Sequence, residues 1–172
     1  SAMHVHMSVS DGSGQNIFSD PETGQETDAF KSFIGGQQTY YYNATALVAP
    51  YVNSYRRLVG GFAAPINLDW GLDNRTTGLR IPRADPPARR VENRVAGADA
   101  NPYLSIAAGL AAGYLGLVQG IAPRAPIEGN SYDRKPDLPM SLLEATEALS
   151  GSSELRSVLG DAFVDTFCTI KS

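Results

Sequence analysis

The twenty residues NPYLSIAAGLAAGYLGLVQG, positions 101–120, restrict the fold of this chain more than any other stretch. Asn101 followed by Pro102 is a helix start: the asparagine side chain caps the first free N–H groups, and proline occupies the first turn, where no N–H is needed. Gly120 supplies the stop. Between them stand Gly109, Gly113 and Gly116, each of which weakens an isolated helix by about 1 kcal/mol relative to alanine. Glycines at that cost imply that another backbone approaches closely, so this helix is expected to pack tightly against a second element.

A partner helix is expected over about 28–48. There Phe30, Phe33, Ile34, Gln37, Tyr41, Ala44 and Val48 recur at helical spacing, Gly35–Gly36 weakens the element and Pro50 ends it. From His4 to Ser10 the residues alternate instead, with Val5, Met7 and Val9 on one face and His4, His6, Ser8 and Ser10 on the other, the pattern of a half-buried strand. Further short strands are expected at 66–70, 75–81 and 89–95, and residues 53–65 read as a loop with a Gly-Gly hinge. Residues 120–139 are proline-rich and read as an extended surface segment. The SLLE of 141–144 is a capping box opening a helix to about Leu149, with two short helices to follow. Strands first and helices last give an α+β class, an antiparallel sheet packed with helices.

A hydrophobic fraction of 42% against 19% charged residues indicates a globular chain. No apolar run reaches the length of a membrane span. A net charge of −4 argues against nucleic acid as a partner. The single cysteine, Cys168, excludes an internal disulfide, suits a reducing compartment and reads as a small packing residue.

Within this acidic chain the arginines are concentrated. Six lie between Arg75 and Arg94, against only Asp85 and Glu92, and arginine outnumbers lysine 11 to 3. The guanidinium fork grips phosphate and carboxylate in a way lysine does not, which points to a small anionic ligand. In RRVENRV, alternation sets Arg90, Glu92 and Arg94 on one face and Val91, Asn93 and Val95 on the other. That face is either an ion-pair ladder or one wall of a charged site. His4 and His6, the only histidines, share a face and are either ordinary surface residues or part of a metal or ligand site. A hard cation needs mostly oxygen donors, which no cluster in the chain supplies. No Walker, GxSxG, CxxC or HExxH pattern occurs, so phosphate recognition must come from arginines.

Five motifs, MHVHMS, NSYRRLVGGFAAP, NRTTGLRIP, ARRVENRV and ANPYLSIAAGLAAG, occur in the order and register of the glutamine synthetase catalytic domain, which the chain resembles strongly over about 1–120 and loosely beyond. The resemblance implies a C-terminal part of that domain, residues 1–172, with a strand-rich site region at about 1–100 and a helical region at about 101–172. It implies that His4 and Glu92 bind a divalent metal, Mg²⁺ or Mn²⁺, beside ATP, with the remaining carboxylate ligands upstream. His6 and Ser8 match nucleotide-contacting positions. Arg57 matches the arginine that grips glutamate, Arg75 and Arg94 those that meet its γ-carboxylate, and Arg80 and Arg90 those near the ATP phosphates. Such enzymes transfer the ATP γ-phosphoryl group to glutamate, and a nitrogen nucleophile then attacks the acyl phosphate. They are cytoplasmic homo-oligomeric rings, and the 172 residues alone are expected to be inactive as a ligase.

One departure bears on the substrate. Ammonia-using relatives carry a flap glutamate where this chain has Ala63, and a proline where it has Gly60. A small apolar flap beside Phe62 suits an organic amine, and WGLDNRT, with Trp70 and Asp73, is similar to the glutamate–amine and γ-glutamylpolyamine ligase branch. The expected partners are therefore glutamate, ATP and an amine, with ammonia as the alternative. A non-catalytic ring subunit is the rival from another class, and a small metal-dependent hydrolase ranks last. Tyr132, near a position that some relatives modify, reads as an ordinary surface tyrosine.

Overall fold

Two helices cross at a point where neither carries a side chain. The computed structural model describes residues 1–61 and 64–171. In it α1 (Asp28–Val48) and α2 (Pro102–Gln119) form the most extensive pairing of elements. A methyl group on Gly36 would overlap the Ala112 carbonyl and the Gly116 backbone, and one on Gly116 would overlap Ser32 and Gly36 in return. The expected backbone approach is therefore met at Gly116. Gly113 instead receives the Phe33 ring, and Gly109 receives the thioether of Met7. Thr27 caps α1 by accepting the Phe30 N–H at 3.2 Å, and Asn101 caps α2 by accepting that of Tyr103 at 2.9 Å. Gly120 closes α2 at φ 62°, a left-handed conformation that glycine adopts without steric cost. All seven periodic residues of α1 are buried, as the spacing requires.

Four strands form one sheet in the order β1-β4-β3-β2: β1 (Val5–Met7), β2 (Trp70–Leu72), β3 (Leu79–Ile81) and β4 (Val91–Asn93). The α+β class holds, and the β1–β4 and β3–β4 pairings are antiparallel as expected; β2–β3 is parallel. Parallel neighbours usually need a crossover of a dozen residues. Strands of three residues span only about 10 Å, so a six-residue return reaches far enough. Asp73, at φ 50°, begins that return, and Asn74 stabilises it by accepting from the N–H and the hydroxyl of Thr76.

The strands are shorter than their alternation suggested. Of 66–70 only Trp70 is in the sheet. The rest of that stretch is hydrogen-bonded to 120–139, through Asp137 N–H to the Ile66 carbonyl at 3.1 Å and Leu68 N–H to Asp137 Oδ1 at 2.6 Å. The Ile127 N–H reaches the Trp70 carbonyl at 2.9 Å, so the proline-rich segment covers the β2 edge. Residues Val52–Arg56, expected as loop, form a 3₁₀ turn. The C-terminal helices are α3 (Leu142–Gly151), α4 (Ser153–Leu159) and α5 (Asp161–Lys171). Ser141 accepts the Glu144 N–H at 3.2 Å, while Glu144 accepts from Met140 rather than Ser141, a capping box displaced by one residue. Cys168 is buried on α5, in its expected packing role.

Candidate functional site

Period-two geometry sorts β3 and β4. Leu79, Ile81 and Val91 turn inward, onto a cluster with Met7, Phe18, Phe30, Phe33 and Trp70. Asn93 also turns inward, where its Nδ2 donates to Gln37 Oε1 at 3.0 Å. The opposite face carries Arg80 and Glu92, and the register sets His6, Glu92 and Arg80 side by side across three strands.

Glu92 is the centre of that face and is 1% exposed, so its charge must be met by neighbours rather than by water. Arg80 Nη1 donates to Oε2 at 2.5 Å and Arg94 Nη1 to Oε1 at 2.7 Å. His4 Nδ1 lies 2.9 Å from Oε1. Burial alone pushes the carboxyl up, but the hydrogen bonds and charges of Arg80 and Arg94 outweigh it and hold Glu92 below the usual carboxylate range. Arg80 is gripped from its other side by Asp73, an ion pair that draws Asp73 downward. Burial pulls His4 below its ordinary value, with Arg94 adding to the effect and Glu92 opposing it. Those effects bias the imidazole toward its neutral form, with Nδ1 turned toward the Glu92 carboxylate.

Glu92, Arg80 and Arg94 thus form one hydrogen-bonded cluster, with His4 at ion-pair distance from its carboxylate. His6 and Arg90 form a second row, Arg90 Nε donating to His6 Nδ1 at 3.2 Å. Arg57, at the end of the 3₁₀ turn, donates to the Val95 carbonyl, and its charge reaches His4. Burial lowers its pKa and Asp99 opposes that shift. Arg75 and Ser8 are exposed and make no side-chain hydrogen bond or ion pair among the described residues, so the fold does not gather them into the cluster. Phe62 and Ala63 lie outside the described residues. Trp70 contributes to packing: its Nε1 donates to the Arg124 carbonyl at 2.6 Å and its ring meets Phe30 edge-on. Arg89 is likewise structural, donating to Phe18, Ser19 and Gly24 over the Phe30 ring.

Sequence reasoning missed Asp99 and the Ser54 hydroxyl that donates to its Oδ2 at 2.5 Å. It noted Asp73 without its partner. Ser54 and Asp99 carry no mutual spacing signal, being brought together only by the turn after β4.

Excess positive charge and incompletely used donors characterise this face. Arg94 Nε and Arg57 Nη1 are buried without a partner among the described residues, a state that an incoming anion relieves. For a divalent cation the fit is partial. His4 and Glu92 are one nitrogen and one oxygen donor at adjoining positions, and no group of three His, Cys, Asp or Glu side chains completes the set among the described residues.

An α+β framework with an arginine-lined, carboxylate-centred face matches one protein class in particular. The model for "Glutamine synthetase, catalytic domain" matches residues 1–172, and the chain belongs to the glutamine synthetase family. It is 45% identical over 161 residues to type-1 glutamine synthetase 2 of Dictyostelium discoideum, covering 90% of this chain and 31% of that protein. It is 38% identical to gamma-glutamylputrescine synthetase PuuA of Escherichia coli K12, covering 100% of this chain and 36% of the relative. Among solved structures, the GmaS/ADP complex superposes with a TM-score of 0.85 at 32% identity, covering 99% of this chain and 41% of the other. The chain therefore spans about a third of the length of the curated relatives it matches.

Proposed function

We propose that this chain contributes one wall of an ATP-dependent ligase site that activates the γ-carboxylate of glutamate and couples it to an amine. The observation that carries the reading is the burial of Glu92 among His4, Arg80 and Arg94, with unused guanidinium N–H groups alongside. The proposed reaction has two steps. The γ-carboxylate oxygen attacks the γ-phosphorus of ATP and ADP departs. The amine nitrogen then attacks the acyl carbon, phosphate leaves and the nitrogen loses a proton.

Both steps bring anions together, and fixed cations lower the barrier by offsetting that repulsion without reorganising. In this reading Arg57 grips the substrate glutamate, Arg75 and Arg94 meet the γ-carboxylate and its leaving phosphate, and Arg80 and Arg90 face the nucleotide phosphates. His6 and Ser8 contact the nucleotide, and Glu92 fixes the directions of Arg80 and Arg94. His4 and Glu92 would be two ligands of Mg²⁺ or Mn²⁺, which when bound supplies charge neutralisation at the phosphates. A cytoplasmic homo-oligomeric ring belongs to the same proposal, as does the inactivity of the 172 residues by themselves.

An amine is favoured over ammonia by Ala63, which cannot accept a proton where ammonia-using relatives have a glutamate. Relatives named for isopropylamine, putrescine and ethanolamide chemistry fit this choice. The 45% identity to a type-1 glutamine synthetase supports ammonia as the second reading. Phosphate release by the full-length protein with ATP and glutamate, assayed in parallel with ammonium, putrescine and ethanolamine, separates them. Turnover with putrescine or ethanolamine at least tenfold above ammonium is expected, and turnover with ammonium alone rejects the amine reading.

A further inference from the structure

A hollow of about 290 Å³ opens beside the entry to β2, lined by Asp69, Arg124, Arg134, Lys135, Pro136 and Asp137. None of these residues belongs to the Glu92 cluster. One wall is the stretch 131–137, which is pinned at both ends. At the first end Asn67 Nδ2 donates to the Ser131 carbonyl at 3.0 Å, and the Ser131 hydroxyl donates to Asn67 Oδ1 at 2.6 Å. The Ser131 N–H also reaches the Thr76 hydroxyl at 2.9 Å. At the second end Asp137 Oδ1 accepts the Leu68 N–H at 2.6 Å, while the Asp137 N–H donates to the Ile66 carbonyl at 3.1 Å. Arg134 and Lys135 stand between those anchors.

Both carboxylates are used within the fold. Asp69, only 4% exposed, lies 3.0 Å from Arg134 Nε through Oδ2 and 3.8 Å from Arg124 Nη2 through Oδ1. Asp137 Oδ2 accepts from Arg124 Nη1 at 2.7 Å. Arg134 is thus held at Nε alone, which leaves its two terminal nitrogens without a partner among the described residues. The Lys135 ammonium is likewise unpaired among them. These donors are open to solvent: the Arg134 side chain is 55% exposed, and Lys135 is exposed beside it.

Three cations therefore face two carboxylates in a chain whose net charge is −4. Two surface ion pairs cancel locally and call for no third cation. The surplus charge sits on a braced wall, with Arg124 across from Arg134 and Lys135. A tetrahedral oxyanion offers acceptors in several directions to donors from two chain segments, whereas a carboxylate offers its two oxygens in one plane. The volume is at the small end for ligand sites, with room for a phosphate and a few carbons but not for a nucleotide.

We propose that this hollow binds the phosphate group of a small ligand, inorganic phosphate or a small phosphomonoester, gripped by Arg134 and Lys135. Its occupancy is independent of the reaction proposed at the Glu92 face.

The test is the rate of Lys135 acetylation by an N-hydroxysuccinimide ester in the full-length protein, read by peptide mass spectrometry. Inorganic phosphate, glycerol 3-phosphate, acetate and chloride are compared at one pH and ionic strength, and the exposed Lys31 serves as the internal reference. Phosphate bound elsewhere in the protein does not register at Lys135. Inorganic phosphate is expected to slow Lys135 at least fivefold relative to chloride and to leave Lys31 unchanged. Arg134→Gln, at an exposed position that the fold tolerates, abolishes the protection, and Arg134→Lys retains part of it. Protection by glycerol 3-phosphate as well assigns the site to phosphomonoesters, and protection by inorganic phosphate alone assigns it to the free anion. Equal rates in phosphate and chloride overturn the proposal, as does equal slowing at Lys31. Protection that persists in Arg134→Gln, or that acetate matches, overturns it too.

Discussion

The helix seam and the charged sheet face are built on opposite rules. At the seam, Gly36 and Gly116 remove side chains so that two backbones touch, and the fit leaves nothing for a ligand. On the sheet face, long side chains converge on Glu92, yet among the described residues Arg94 Nε keeps a donor without a partner and Arg57 Nη1 does the same nearby. The unpartnered groups on the two helices among the described residues, Tyr41 on α1 and Ser105 on α2, are neutral hydroxyls, whereas the sheet face and its surroundings hold charged donors that an anion would complete. Unpartnered charge, rather than incomplete satisfaction alone, separates the sheet face from the helix seam.

Glu92 carries the largest expected effect. Replacing it with alanine leaves Arg94 buried without its carboxylate and is expected to cost about 3–5 kcal/mol in urea unfolding. A loss under 1 kcal/mol would show that the face is solvated and the cluster incidental. Gly116→Ala is next, at about 3 kcal/mol, because overpacking against backbone has no flexible side chain to absorb it. A stability unchanged by Gly116→Ala would mean the helices are looser than their contact implies. Gln37→Leu sharpens the contrast, since it leaves the Gly109 carbonyl and the Asn93 amide without their partner; about 2 kcal/mol is expected, measured the same way.

The smallest effect is a pH dependence remote from both regions. Glu144 is held below its ordinary value of 4.5, first by the Met140 N–H and then by the Tyr42 hydroxyl. A depressed carboxylate contributes stability that is full above its unfolded pKa and lost as pH falls through the folded one. Glu144→Gln should therefore flatten a slight decline in thermal stability below pH 4.5, its small loss relative to the wild type being full between pH 6 and 8 and vanishing in acid.

Much of the framework was legible because it rests on local rules. Asn101 and Ser141 cap helices that their neighbours already favour. The alternation of RRVENRV set Glu92 and Arg94 on one face, and the fold joins them. What escaped were features that depend on remote partners. The strand expected at 66–70 is drawn away by Asp137 and Ser131, which lie more than sixty residues on. The parallel β2–β3 pairing depends on the positive φ of Asp73 rather than on any periodicity. At the site, Arg75 has the residue type without a position in the cluster, and Asp99 has a position that no pattern announced.

Gln37 bridges three elements. Its amide donates to the Gly109 carbonyl on α2 at 2.6 Å and accepts from Asn93 on β4 at 3.0 Å, so one side chain of α1 is tied to the opposing helix and to the central strand. A slip of β4 by one residue would exchange Asn93 for a neighbour and turn Glu92 toward the helices. The buried amides thus act as a key that admits a single alignment, and the charged face inherits its orientation from a lock on the reverse side of the sheet.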